Sequence, residues 1–344
     1  MVVISVAVLV ALNSDAVLAN IGTAGSMGTV GAGGAAGAGG TVGADSAGSA
    51  GGARSAGNAA GGKTAASQWT VAWSDDFDGP ANSSVNPEYW EFDTGQGIFG
   101  TKEIERVTAS TANVRLDGHG DLDLVASGHG AGGARGAAWT SGRIQTKRLF
   151  TPPPGGEMMV TASIEQPGPA NGLGYWPAFW MLGANPSTWP ADGEIDILED
   201  INGLSEHSGT LHCGNLRQRN PNGTLGPCHE PDGLGSGLRP CPDCQRGFHT
   251  YSVIIDRRDE ARQQVRWYLD GREYFSVSES AVGPAVWTHA FDHGFSILLN
   301  VAIGGSFPDA ACQCDTPTTG TTSGGEMVVR DVVVYTRQDA RAAP

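Results

Sequence analysis

Positive charge is scarce in this chain. Its 344 residues carry 21 Lys and Arg against 36 Asp and Glu, a net charge of −15 at pH 7. Nucleic acids and anionic membranes are recognised by clustered Lys and Arg, so this balance argues against both as partners. Long apolar runs are also missing. The run Val2–Leu12, VVISVAVLVAL, falls short of the ~20 apolar residues that a spanning helix needs. It suits a signal-peptide core, with Val17-Leu18-Ala19 as a small-residue cleavage site, although no Lys or Arg precedes it. Residues 1–19 are therefore expected to be a signal peptide and the protein to be secreted. Proline is absent from residues 20–67, which are mostly Gly and Ala, with only Asp45, Arg54 and Lys63 charged. No heptad and no G-x-y period runs through them, which excludes coiled coil and collagen. Such a segment buries too little apolar surface to offset its ordering entropy, and a flexible linker is expected. Residues 68–344 remain, enough for one large all-β domain.

Long helical periodicity is lacking there too. Instead, short alternating or apolar runs recur between Gly, Pro, Asn and Asp. They are Thr70–Phe77, Asn113–Ala126, Arg143–Phe150, Glu157–Glu165, Trp176–Leu182, Gly193–Glu199, Phe248–Asp256, Val265–Leu269, Phe295–Ile303 and Met327–Tyr335. Asp270-Gly271, between RWYL and REYFSV, predicts a two-residue type I′ hairpin. About ten short strands predict a β-sandwich or jelly roll. Asn215–Gly247, rich in Gly and Pro, is expected to be a stapled loop excursion.

Within Gly174–Glu199, the aromatics Trp176, Phe179, Trp180 and Trp189 precede the acids Glu194, Asp196 and Glu199. Side chains alternate along a strand, so Glu194 and Asp196 share one face and Ile195 and Ile197 the other. Glu199 sits at an odd offset from Glu194, which would aim it at the core. A buried lone carboxylate there would cost several kcal/mol. A β-bulge near Leu198 would return it to the cleft face. Three acids on one face repel each other and raise at least one pKa, which suits a glycosidase pair of one carboxylate and one protonated acid. Glu194 is expected to be ionised at neutral pH and Glu199 to be raised. The plainer reading is an acidic, solvated strand face. The tryptophans favour a sugar site, because indole faces stack on sugar rings, although any single Trp is more often core.

All six cysteines lie after residue 212: Cys213, Cys228, Cys241, Cys244, Cys312 and Cys314. An even number in a secreted chain points to disulfides, and six allow 15 pairings. Cys213 with Cys228 and Cys241 with Cys244 are the favoured pairs, with Cys312 and Cys314 left open. The rival for Cys241-Pro-Asp-Cys244 is a zinc or redox motif, which lacks a second CxxC and a βαβ pattern. Asn82-Ser83-Ser84 and Asn222-Gly223-Thr224 are glycosylation sequons, relevant in a eukaryotic host.

At WPAFWMLG, WPADGEIDILE and GTLHCG the chain resembles family 16 of the glycoside hydrolases, the laminarinase type. The resemblance runs over about residues 70–337, through VAWSDDFDG, TSGRIQTK, FHTYSVIID, WYLDG, ILLNVAIGG and VVVYT. It implies a β-jelly-roll sandwich of two antiparallel sheets with a concave glucan cleft. It also implies that Glu194 is the nucleophile, Glu199 the acid/base and Asp196 the residue between them that hydrogen-bonds the nucleophile. Trp180 and Trp189 match sugar-stacking positions and His212 a cleft histidine, though a histidine satisfied by core backbone is the alternative. Trp176, Arg143 and Glu103 are further binding candidates, and Asn300 is either structural or cleft-reaching. Thr101 and Lys102 precede Glu103 where the family often has Asn, and Phe307 stands where Trp is common. Many members hold calcium through an Asp of the closing strand, where Arg330 stands here with Asp331 next to it. That argues against a metal, and no cofactor is expected.

The expected activity is therefore retaining, endo-acting hydrolysis of β-1,3-glucan by a secreted monomer. A lectin-like glucan-binding module on the same sandwich is the rival class. Transglycosylation, and mixed-linkage glucan, agar or galactan as substrate, are further alternatives, because a fold does not fix its function.

Overall fold

Period-two burial organises the chain. Along Gly156–Glu165, Met158, Val160, Ala162 and Ile164 turn into the core while Met159, Thr161, Ser163 and Glu165 stay half-exposed. The computed structural model describes residues 68–97, 99–129 and 138–338. The expected signal peptide (1–19) and linker (20–67) lie outside them.

Two antiparallel-dominated sheets stack as a jelly-roll sandwich. The first holds, in spatial order, Leu234–Gly235, Glu206–His212, Glu194–Glu199, Tyr175–Gly183, Phe295–Ile303, Arg143–Thr146 and Trp90–Phe92. The second runs Arg272–Ser278, Gln264–Leu269, His249–Asp256, Gly156–Glu165, Gly325–Gln338, Leu122–His129, Ala138–Ser141, Arg106–Val107 and Gly95–Gln96. Thr70–Asp75 pairs with its closing strand. Between the sheets lie Phe179, Met181, Ile195, Ile197, Leu198 and Leu211 from the first, and Val160, Ile164, Val253, Trp267 and Val332 from the second. Burying each large apolar side chain contributes about 1.5–3 kcal/mol, so this layer carries the fold.

Most predicted strands are present with ends moved by a few residues. Asn113–Ala126 is not continuous. It splits into Val114–Leu116 and Leu122–His129, because Asp117 accepts the amides of His119 and Asp121 and reverses the chain. Arg143–Phe150 stops at Thr146, and Phe150 makes only a bridge to Phe295. The Asp270-Gly271 hairpin has φ of 50° and 73°, the pair of positive angles that type I′ requires. The strand Glu206–His212 escaped the pattern reading. So did three short helices, Glu279–Val282, Pro284–Phe291 and Ser306–Cys312.

The excursion Asn215–Gly247 is stapled, as expected. Cys213 bonds Cys228 and Cys241 bonds Cys244, so the CxxC pair leaves no thiolate free to hold zinc. Cys312 bonds Cys314. The excursion also contributes Leu234–Gly235 and Arg239–Pro240, which pair with Glu206–His212.

Candidate active site

Register decides where the acids point. Leu182 faces Glu194 and Trp180 faces Asp196 across the ladder, but Phe179 faces Leu198. On the other side Asp196 faces Thr210 while Glu199 faces Ser208. One extra residue is therefore inserted at Ile197-Leu198. Both side chains enter the core, and Glu199 comes round to the face of Glu194 and Asp196. The bulge inferred from the odd spacing is there. It is held from behind by Trp267, whose indole N–H donates to the Asp196 carbonyl at 2.8 Å.

Each acid has its own partner. Trp189 Nε1 donates to Glu194 Oε2 at 3.1 Å, and Trp176 Nε1 donates to Glu199 Oε1 at 3.0 Å. His212 Nε2 lies 3.4 Å from Asp196 Oδ2 and 4.0 Å from Glu194 Oε1. Its other nitrogen, Nδ1, is 2.7 Å from Glu230 Oε2. The Trp189 ring tilts over the imidazole at 5.6 Å. The core-histidine alternative fails, because the ring is bound by carboxylates on both sides.

Along the same sheet, Trp180 Nε1 donates to Asn300 Oδ1 at 2.8 Å, so Asn300 reaches the cleft through Trp180. Arg143 donates to Asp93 at 2.9 Å, and its guanidinium lies 3.9 Å from the Phe99 ring centre and 4.8 Å from that of Trp180. Glu103 accepts from the Thr101 hydroxyl and bridges Gly304. Trp176 meets Phe307 edge-on at 5.8 Å. All ten residues singled out from sequence thus belong to one sheet face or its margin. Sequence reading missed Glu230, Asp93 and Phe99. No spacing signals them, since each arrives from a loop.

Electrostatics departs from expectation at one point. Burial raises Glu199 to about 8, with the Asp196 charge adding to it. Burial raises Glu194 to about 8 in the same way, so Glu194 is not the lone ionised member. The two differ in what lowers them. His212 and Arg143 act on Glu194, whereas the Trp176 N–H and His212 act on Glu199. Two cations thus favour the carboxylate form of Glu194, and one cation and an indole N–H favour that of Glu199. Burial pushes His212 down, but the Asp196 and Glu230 carboxylates outweigh it and hold the imidazole well above 6.5.

These shifts predict how stability follows pH. Desolvation also raises Glu105 to about 8 and Asp200 to about 7. A raised carboxyl binds its proton more tightly when folded, so its stabilisation is present at low pH and lost as pH climbs toward the folded pKa. His212 acts in the same sense, losing its contribution as pH rises above 6.5. His207 opposes, since burial lowers it to about 4 and stability is lost as pH falls below 6.5. Four carboxyls and one histidine outweigh it. The melting temperature is expected to fall from about pH 5 to about pH 8. A flat or rising trend over that interval would contradict the raised values.

Glu194, Asp196 and His212 each turn one ligand atom to within 4.8 Å of the others, so a metal there would have to displace the proton of the imidazole. At the position of the family's calcium aspartate, Arg330 Nε lies 3.3 Å from Asp121 and its guanidinium covers the Phe248 ring at 3.7 Å. Asp331, next to it, accepts the Ser163 amide. A guanidinium there does not fit a cation ligand.

Residues 133–225 match a family model described as XgeA-like, catalytic GH16 domain. A glucan endo-1,3-β-glucosidase of Cryptopygus antarcticus is 30% identical over 253 residues, which are 71% of this chain and 83% of that protein. Glucan endo-1,3-β-glucosidase A1 of Niallia circulans is 28% identical over 262 residues, 71% of this chain, but the chain spans only 35% of that longer protein. The crystal structure of an endo-1,3-β-glucanase from Streptomyces sioyaensis superposes with a TM-score of 0.71 at 42% identity, covering 78% of this chain and 97% of that one. The sandwich, the bulged acid strand and these relatives agree, and the chain belongs to glycoside hydrolase family 16.

Proposed function

We propose that the protein is a secreted, retaining endo-β-1,3-glucanase that acts on laminarin-type glucan as a monomer and without a cofactor. The observation that carries this reading is the bulge at Ile197-Leu198, which puts Glu194, Asp196 and Glu199 on one face beside Trp176, Trp180 and Trp189. One oxygen of each outer acid is engaged by an indole N–H, leaving Glu194 Oε1 and Glu199 Oε2 for chemistry. Glu194 attacks the anomeric carbon as Glu199 protonates the leaving glycosidic oxygen. Glu199, now a carboxylate, then takes a proton from the water that releases the sugar and regenerates Glu194. Asp196, on the same face between them, restrains the charge of the pair. The relatives named above as endo-1,3-β-glucanases support the linkage. Three disulfides among the described residues support an oxidising destination.

Incubation with laminarin beside mixed-linkage glucan, agarose and galactan tests the substrate. Rapid release of oligosaccharides from laminarin is expected. Preference for agarose or galactan would refute the assignment, and transfer to added sugar in place of water would mark a transglycosylase. Loss of Trp189 tests the stacking surface. This half-buried indole contacts both His212 and Glu194. Trp189→Ala is expected to lower kcat/KM on laminarin about tenfold, for loss of roughly 1.4 kcal/mol of stacking and hydrogen bonding, with the melting temperature nearly unchanged. An unfolded variant would show Trp189 to be a core residue.

A further inference from the structure

Glu230 lies two residues beyond Cys228, between the strands Glu206–His212 and Leu234–Gly235. Its side chain is fully buried, at 0% exposure. A carboxylate so placed needs partners for both oxygens, and it has them. Oε1 accepts the Cys213 N–H at 3.0 Å, and Oε2 lies 2.7 Å from His212 Nδ1. An acceptor oxygen at that distance requires a proton on Nδ1. Nε2 is then the atom turned to the acid strand, toward Asp196 Oδ2 and Glu194 Oε1. If the ring were neutral, Nε2 would present a lone pair to two carboxylates. With a second proton it presents an N–H. Carboxylates on both sides favour the second form.

The backbone around Glu230 is shaped to this ring. Gly233, with φ of +72°, packs close against the imidazole. A Cβ there would come within 2.9 Å of His212 Cε1 and 2.4 Å of Thr210 Cγ2. The Cys213–Cys228 bond joins the residue after His212 to the segment that carries Glu230. The loop thus has a pin at its base, a close contact on the ring and a carboxylate aimed at Nδ1.

We propose that Glu230 is a positioning residue for the reaction: it holds His212 as an imidazolium whose Nε2–H faces Glu194 and Asp196, and the Cys213–Cys228 bridge keeps it within reach. This rests on the reading of Glu194 as nucleophile. The other charged groups that interact with His212 are Glu199 from the acid strand and Asp232 from the loop, while Arg143 acts on Glu194 from the opposite side. One fixed positive charge among three acids offsets their repulsion and favours the carboxylate form of the attacking group.

The test uses protein labelled with ¹⁵N in histidine. In the unaltered protein both His212 nitrogens are expected to carry protons at about pH 7 and above, where an ordinary histidine with a midpoint of ~6.5 is mostly neutral. In Glu230→Gln the ring is expected to lose its second proton at a lower pH. kcat on laminarin should fall about tenfold or more, with KM changed less than about twofold. Glu230→Asp, which keeps the charge, is expected to restore the doubly protonated ring at least in part. The proposal is overturned if His212 is neutral at about pH 7 in the unaltered protein. It is equally overturned if Glu230→Gln leaves its titration and kcat as they were. Should Glu230→Gln fail to fold, the unaltered protein and Glu230→Asp still decide the protonation state. If laminarin is not a substrate at all, the functional reading fails separately, while the nitrogen signals still test the role of Glu230.

Discussion

Glutamine in place of Glu194 is expected to abolish glucan hydrolysis, lowering kcat by about 10⁴-fold or more while the melting temperature holds. The amide keeps the shape of the side chain, and its oxygen can still accept the Trp189 N–H, but it has no charge with which to attack the anomeric carbon. Glu199→Gln should behave differently. It removes the proton donor, so glucan hydrolysis should collapse, but an aryl β-glycoside with a good leaving group needs little protonation and should keep much of its first-step rate. The two variants therefore separate the roles, provided the reaction retains configuration. A retaining pair stands about 5–5.5 Å apart and an inverting pair about 6.5–9.5 Å. Proton NMR of the first-formed product settles that: the β-anomer is expected. An initial α-anomer would rule out retention and, with it, Glu194 as nucleophile.

The largest stability effect is expected from Trp267→Ala, a loss of about 3–5 kcal/mol, read as a lower urea midpoint and melting temperature. Trp267 is completely buried between the sheets, and its N–H supports the carbonyl of Asp196. Gly209 leaves room for the indole, since a Cβ there would lie 2.4 Å from Trp267 Cδ1. Deleting the ring opens a cavity directly behind the bulge, so activity should suffer beyond the share explained by unfolding. Trp267→Phe keeps most of the packing and removes the hydrogen bond, and should cost only about 1–2 kcal/mol in stability. If Trp267→Ala were as stable as the unaltered protein, the core would be able to close behind the acid strand without it.

Particular residues show why some features were legible from sequence and others were not. Ile195 and Ile197 alternate with Glu194 and Asp196, and two-residue alternation is a local property of a strand. The odd step to Glu199 left two choices, a buried lone carboxylate or a bulge. The first is too costly, so the bulge followed from arithmetic and desolvation alone. Asp270-Gly271 was equally plain, because few residues accept positive φ twice in succession.

Asp117 shows the opposite case. Its side chain turns the chain inside what reads as one continuous strand, and short polar side chains compete for backbone amides in ways that a hydrophobic pattern does not record. The equal raising of Glu194 and Glu199 was also out of reach. Depth of burial sets it, and burial is a property of the closed sandwich.

The sequence by itself determined the all-β architecture, the acid face with its bulge and the resemblance to family 16, whereas the disulfide pairs were chosen by the fold from 15 possible pairings. The first three rest on local periodicity or on a contiguous motif. Tertiary structure alone decided which partner each acid receives. Trp176, Trp189 and His212 reach the acids from separate strands and loops, and Glu230 reaches His212 from a loop that the Cys213–Cys228 bond pins. Long-range electrostatics and hydrogen bonding depend on distances through space, which spacing along the chain does not encode.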